Sequence, residues 1–550
     1  MIDGAEPTRW IVDLVERLGD VESVEIRIVH IDADQQSNAT EPGSPAHSGP
    51  GHYITRWLIG LADKPRFDEL PWSPDQLPLN ARSTPLNDPA RELADCDLVF
   101  DLCTTQWLEA SSLSTDTPVW SADVKQLPQR VADTLLHKAP LLWLHLWERR
   151  RGRNGKDIDS CRITSHALPS QSFSITDLLS AGYCSLPAVF VSRLNWYLVN
   201  RQLVQDVSEQ ERSLGVFDCE QRDAELDASK WLHAYSSAER RNALKDSWMA
   251  VRLIMRQIWQ RLCNRIFEDH WELAAYCTAA DTKVSLADLR AVNVSTFKSM
   301  ARSKDAIQAD PHIIEHNGET YVFFERLHQH KTPAHIAVAT IDNERGLIDV
   351  RCALKESTHL SYPFVFKHAD EIYMVPESGS LQSIRLYKAI SFPCQWQHMY
   401  NLVDGINAAD STLFRYMNRW WLFTNCQSHR CVDERDELHI YYADTLPGPW
   451  QPHAMNPVLT GVDRSRMAGP IISMQGNHYR LSQYGAKRYG HGINISRIDT
   501  LSPTEYRESA VHRIVPDSAS TWLGCHSLGL YPQHIVIDRV RRRRKVSVAR

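Results

Sequence analysis

No uninterrupted apolar run in these 550 residues approaches the roughly eighteen that a membrane-spanning helix needs. The opening stretch, Met1-Ile-Asp-Gly-Ala-Glu-Pro7, has no basic segment followed by an apolar core, so no export signal is expected. Twelve cysteines are scattered without a paired framework, which points away from a disulfide scaffold and toward reduced thiols in a cytoplasmic protein. Neither G-x-G-x-x-G nor a P-loop occurs, so a standard dinucleotide or nucleoside triphosphate site has no support. An excess of positive charge is also missing. The net charge is −6, which argues against a general nucleic-acid partner. At this length two or three domains are expected. The 43% apolar and 23% charged residues are those of an ordinary globular chain.

What is present is a repeat. A small or acidic residue, an apolar run, a polar turn, an aromatic run and a polar residue recur through the last 250 or so positions. The clearest copies are Asp310-Pro-His-Ile-Ile to Tyr321-Val-Phe-Phe-Glu325 and Tyr362-Pro-Phe-Val-Phe to Tyr373-Met-Val-Pro-Glu377. Asp410-Ser-Thr-Leu-Phe to Trp421-Leu-Phe-Thr-Asn425 and Ala468-Gly-Pro-Ile-Ile to Tyr479-Arg-Leu-Ser-Gln483 follow. A weaker fifth runs from His526-Ser-Leu-Gly-Leu to His534-Ile-Val-Ile-Asp538. A period of about 50 residues is that of four-stranded propeller blades, so a five-bladed β-propeller is expected over 270–538. In each of the first four copies the first and last residues stand fifteen apart with a turn signal between. That is a β-hairpin whose ends meet, and the innermost strand of a blade lines the channel. Asp310, Tyr362 and Asp410 should therefore converge on one channel mouth with Glu325, Glu377, Asn425 and Gln483 close by.

Ahead of the repeat, Trp10, Ile11, Leu14, Val15 and Leu18 fall at helical spacing, and Val24 to His30 alternates as a strand. Residues 35–51 read as a polar loop. Cys96 to Cys103 and Pro118 to Ala122 read as buried strands, which together indicate an α/β, Rossmann-like domain over 1–204 with a mainly parallel sheet. A helical connector is expected over 205–269. Its apolar stripe, Leu244, Trp248, Val251, Met255, Ile258, Leu262 and Ile266, should dock on a domain. Residues 539–550 open with Arg539-Val-Arg-Arg-Arg-Arg-Lys545 and read as a solvated basic tail, or as a contact to anionic lipid at a membrane surface.

The second half resembles the propeller domain of the glucosamine inositolphosphorylceramide transferase-like family. The resemblance rests on Ala309-Asp-Pro311, Phe323-Phe-Glu325, His359-Leu-Ser-Tyr-Pro363, Tyr373 to Ser378, Arg419-Trp-Trp-Leu-Phe423, Gly448-Pro-Trp450, Asn456-Pro-Val458, Arg466-Met-Ala-Gly469 and Tyr489-Gly490. More distantly it is similar to five-bladed arabinanase and xylosidase-type glycoside hydrolases, whose channel holds a catalytic Asp at the start of blade one; Asp310 matches it. In the plant members of the transferase family, glycosyl transfer is ascribed to a separate C-terminal domain, which is not expected in this chain. The first half resembles formyltransferase-like domains. Those use an Asn and a His in an N-x-H segment, where this chain has Val119 to Lys125 with neither. A degenerate, structural or donor-binding domain that does not transfer formyl groups is expected.

Sugar chemistry needs one carboxylate as base or nucleophile and often a second as acid. The expected roles are Asp310 as base or nucleophile, Glu377 as acid, and Asp410 as the charge that tunes them. Glu325, Tyr362, His359, Asn425, Arg466, Gln483, Tyr489 and His526 are the expected substrate-binding residues, with Arg466 suited to a phosphate. Strand-end capping is the competing role for Asp310 and Asp410, and a structural one for His359 and His526. Cys426-Gln-Ser-His429-Arg-Cys431 has three zinc-ligand types but no standard spacing and no fourth ligand, so a loop and no metal are expected. The expected function is a glycosyltransferase of surface glycan or glycoconjugate synthesis. It would use no cofactor beyond an activated sugar donor, and its acceptor would be a glycan or glycolipid. A glycoside hydrolase or phosphorylase on the same site, and a non-catalytic glycan-binding or scaffold protein, are the alternatives.

Overall fold

The structure, a computed structural model, divides into two compact units, Met1–Trp259 and Gln260–Arg550. It describes residues 265–277, 283–300, 306–328, 331–342, 346–426, 436–517 and 520–545, the N-terminal strands and helix named below, and scattered single positions. The polar loop at 35–51 and most of the connector at 205–269 lie outside the described residues.

In the first unit Ile2–Asp3, Ile26–Ile31 and Ala81–Pro85 pair in parallel. Val99–Asp101 pairs in parallel with Val119–Ala122, which then pairs antiparallel with a long hairpin, Leu141–Arg151 and Ile158–Pro169. A helix spans Ile175–Arg201. Trp120, fully buried, packs against Phe100 and Tyr197. The mainly parallel, Rossmann-like sheet is not supported among the described residues, because the hairpin's antiparallel pairing continues the sheet where a crossover helix was expected.

The second unit is five consecutive antiparallel sheets. The first is Ala306–His316, Glu319–His328, Lys331–Asp342 and Gly346–Leu354; the second is Ser361–His368, Glu371–Glu377, Ser383–Ser391 and Gln395–Asp404. The third is Ala408–Tyr416, Arg419–Cys426 and Glu437–Ala443, with two short strands, Gln451–Pro452 and Leu459–Thr460, on Glu437–Ala443. The fourth is Ile472–Met474, Asn477–Tyr484, Gly492–Leu501 and Tyr506–Ile514. The fifth joins Leu528–Tyr531 and His534–Arg544 to Phe267–Cys277 and Lys298–Ser299 from the start of the unit. Chain ends sharing one sheet is the closure of a β-propeller.

Four of the inner hairpins turn through two residues that both have positive φ: Asn317 and Gly318, Ala369 and Asp370, Met417 and Asn418, Gln475 and Gly476. Such type I′ turns match the strand twist, which is why the copies keep equal length. The same kind of hydrogen bond recurs from each sheet to the next, from a backbone N–H to the sheet before. Tyr362 N–H donates to Asp310 Oδ2 (3.4 Å), Asp410 N–H to Glu377 Oε2 (3.4 Å), Met467 N–H to Asn425 Oδ1 (2.8 Å) and Leu528 N–H to Ala468 O (2.8 Å). Asp310 N–H closes the ring on Asp538 Oδ2 (3.0 Å).

Three expectations need correction. Arg539 to Arg544 is no tail, for it forms the end of strand His534–Arg544 and faces an acidic partner strand. Arg539 and Arg541 pair with Glu272, and Arg543 with Glu268. Arg539 also lies 3.7 Å from the ring centre of Trp522 and donates to the carbonyls of Val294 and Phe297. Residues 539–544 are thus part of the fifth sheet and not a free tail. The connector stripe is the second correction: its described members Met255, Leu262 and Ile266 are exposed, not docked. Third, Cys426 ends the strand Arg419–Cys426, while the rest of the Cys426–Cys431 segment lies outside the described residues.

Away from the centre, Arg480 and Glu508 form a buried pair with hydrogen bonds of 2.6 and 2.7 Å. Burial pushes the Glu508 carboxyl up, but Arg480 and Tyr506 outweigh it and hold it below the usual range. A depressed carboxyl stabilises the fold above its unfolded value, near 4.3, and that stabilisation is lost as pH falls through the lower folded value. Denaturant titrations should show Glu508→Gln clearly less stable than wild type at pH 7, with the gap closing below about pH 4.

Candidate functional site

Three inner strands carry the same defect at the same place. The pairing slips between Ala309 and His312, between Ser361 and Phe364, and between Ala409 and Thr412. Each slip is a β-bulge whose first residue has positive φ: Asp310 (53°), Tyr362 (42°) and Asp410 (51°). A bulge re-aims one side chain out of the alternation, and here it turns these three into one cluster. Asp tolerates the left-handed region; an aromatic residue does not do so readily. Tyr362 is held by its hydroxyl, which contacts Thr412 Oγ1 (2.9 Å), donates to Gly469 O (3.1 Å) and accepts from Gly469 N–H (2.8 Å). Gly469 has φ of 142°, and a Cβ there would lie 2.2 Å from Leu528 O. Gly469→Ala should therefore lower stability by at least about 1–3 kcal/mol in thermal denaturation.

Asp410 is 2% exposed and receives Arg466 Nε at 2.5 Å and Gln483 Nε2 at 3.3 Å. Asp310 is buried beside His526, whose Nε2 lies 3.3 Å from Asp310 Oδ1 and whose Nδ1 lies 2.8 Å from Asp538 Oδ2. Asp538 also accepts three backbone N–H bonds, from Asp310, His526 and Ser527. Burial drives the Asp310 carboxyl well above its usual range; His526 opposes this, while Glu325, Asp410 and Asp538 add to it. Burial disfavours charge on His526, but Asp538 and Asp310 outweigh it and push the imidazole up to about 9. Asp310, His526 and Asp538 are the one group of potential metal donors found among the described residues. Their imidazole faces Asp538 with Nδ1 and Asp310 with Nε2.

Tyr489 forms one wall. Its ring lies over Arg466 (5.2 Å) and beside His526 (5.2 Å) and Trp271 (6.2 Å), and the residue is 43% exposed. Desolvation at its hydroxyl end, though the residue as a whole is partly exposed, and the carboxylates of Asp310, Asp410 and Glu377 push its phenol well up, against Arg466, so it stays neutral.

Of the residues singled out from the sequence, Asp310, Tyr362, Asp410, Arg466, Gln483, Tyr489 and His526 meet in this cluster. Glu377 joins it through the Asp410 N–H. Glu325 lies at its edge, 3.0 Å from the half-exposed His359. Asn425 is fully buried, with both Nδ2 hydrogens on Glu437 O and Ser465 O and its Oδ1 on Met467 N–H, so it straps two blades together. Asp538 and Trp271 were not singled out. Asp538 ends the fifth copy as Glu325 ends the first, and Asp538 N–H bonds Ser527 O across the hairpin; that alignment was the available signal. Trp271 carried none, because it reaches the site from the strand that closes the ring.

A β-propeller whose inner bulges gather buried carboxylates, one arginine and one histidine is the class of protein the fold and site define. Residues 289–538 match the sequence model of the family described as glucosamine inositolphosphorylceramide transferase 1, N-terminal, and the resemblance read from the motifs is shown for that segment. The glucosamine inositolphosphorylceramide transferase 1 of Oryza sativa subsp. japonica is 34% identical over 208 residues, 37% of this chain and 28% of the rice protein. That of Arabidopsis thaliana is 32% identical over 206 residues, 37% and 27% of the two chains. This chain thus spans less than a third of the curated relatives it matches. Among solved structures, an exo-β-1,3-galactanase from Clostridium thermocellum aligns at 13% identity and TM-score 0.32, over 41% of this chain and 58% of that one. The catalytic domain of a Coprinopsis cinerea α-L-arabinofuranosidase aligns at 10% and 0.34, over 49% and 97%.

Proposed function

We propose that this protein is a carbohydrate-active enzyme, a glycosyltransferase of glycoconjugate synthesis, with its site on the inner strands of the propeller. The observation that carries the reading is Asp310: a buried carboxyl with raised proton affinity, aimed by its bulge into a cluster with Asp410, Arg466 and Tyr489. Burial raises the proton affinity of this carboxyl, which suits it to take a proton from a hydroxyl. Asp310 accepts the proton of the acceptor hydroxyl as that oxygen attacks the anomeric carbon of the donor. Asp410, fixed by Arg466 and Gln483, is the standing negative charge beside the cationic sugar of the transition state. Glu377 is the candidate acid toward the leaving group. Tyr489 offers its exposed ring to the apolar face of a sugar.

The relatives' printed name supplies the first pair to try, an activated glucosamine donor with inositolphosphorylceramide. Incubation of the full chain with a panel of nucleotide sugars and glycolipid acceptors should give donor-dependent product. Cleavage of aryl glycosides with no donor present would replace the reading with a hydrolase on the same site. Sugar binding without turnover in either assay would make the propeller a glycan-binding module.

A further inference from the structure

We propose that Asp538 and His526, both from the blade that closes the ring, are positioning residues for Asp310, forming an Asp538–His526–Asp310 chain that keeps a cationic imidazole against the Asp310 carboxylate. This deepens the reading of Asp310 as base and rests on it. Asp538 is immobilised by three backbone N–H groups and is fully buried. Its Oδ2 faces His526 Nδ1, so a neutral imidazole would carry its one hydrogen there and turn a bare Nε2 lone pair on Asp310. Neither His526 Nδ1 nor Asp310 Oδ1 has an aligned hydrogen-bond partner, so the two contacts, at 2.8 and 3.3 Å, are those of ion pairs, which a protonated ring satisfies on both sides. Trp271, centroid 4.3 Å away, and Tyr489, 5.2 Å away, both pack tilted against the ring.

The charged groups around His526 come from every neighbouring element. Asp538 and Asp310 favour its charge, and Arg466 opposes it. Glu325 and Asp410 also act on Asp310 and raise its proton affinity. Three carboxylates raise the proton affinity of Asp310, and the His526 imidazolium is the group that opposes them. When Asp310 takes a proton from the acceptor hydroxyl, the imidazolium keeps its proton and its pairing with Asp538. No further group has to move.

The test is NMR titration of the full chain labelled with 15N in histidine and 13Cγ in aspartate, resonances assigned by Asp310→Asn and His526→Gln. The wild type should show His526 with both nitrogens protonated at pH 7.5, losing a proton near 9. In Asp538→Asn that midpoint should fall by at least about one unit, as loss of an adjacent opposite charge requires. In His526→Gln, which keeps an N–H donor without the charge, the Asp310 carboxyl should titrate higher than in wild type. Where transfer is measurable, the acid limb of its pH profile should move with it. A structural histidine would leave both unmoved. A neutral His526 at pH 7.5 in the wild type overturns the proposal by itself, whether or not either variant folds. The expected titrations with no turnover on any donor would retain the chain and sink the transferase reading.

Discussion

Asp310→Asn is expected to lower transfer by at least about a hundredfold while leaving the fold intact, since general base catalysis alone contributes roughly 10²–10⁴. The exchange keeps the shape. Asn is among the residues that tolerate the left-handed region, so the bulge at φ of 53° is not disturbed. The amide oxygen still accepts from Tyr362 N–H, and Asp310's own N–H still reaches Asp538. What is lost is a carboxylate able to take a proton. A carboxyl that only caps the strand would lose about 1 kcal/mol of stability on this exchange and no turnover. Melting temperature and turnover measured on one sample separate the two cases. Near-normal turnover in a well-folded variant removes Asp310 from the mechanism.

Arg466→Met is expected to cost about 3–5 kcal/mol of stability, because it strands a buried charge. Asp410 is almost wholly out of water, and Arg466 Nε is its cationic partner at 2.5 Å. Gln483 Nε2 remains, but a neutral amide at 3.3 Å does not replace a cation. The decisive comparison is a double-mutant cycle by urea unfolding. Asp410→Asn in the Arg466→Met background should recover much of the loss, because the unpaired charge is then gone. Simple additivity of the two losses would mean that the pair contributes nothing of its own. Arg466→Met should also remove the cation under the Tyr489 ring, and sugar affinity should fall with it.

The repeat made four-fifths of the propeller legible, for a physical reason. A type I′ turn of two residues fixes hairpin length, so the residues that meet at the centre keep a constant spacing in sequence. Asp310, Tyr362 and Asp410 could be placed together from that spacing alone. The fifth blade showed only as a weaker copy, because two of its strands come from 267–299, far from the other two. A basic run at the chain's end looked solvated for the same reason: its acidic partners, Glu268 and Glu272, lie more than 260 positions earlier. Asp538 was in view but unread, since its role depends on His526 folding back between it and Asp310. The bulges themselves left only a trace, the proline after Asp310 and Tyr362. Asn425 matched the pattern of a ligand-binding amide, yet its hydrogens are spent on backbone carbonyls. Spacing shows where a side chain lies, not what it bonds.

The most direct measurement is a crystal structure of the full chain with a bound donor and acceptor analogue. The account predicts an acceptor hydroxyl within about 3 Å of Asp310, the reach of a general base, and a sugar face against the Tyr489 ring. A sugar bound away from the inner bulges, with Asp310 buried and untouched, would contradict it.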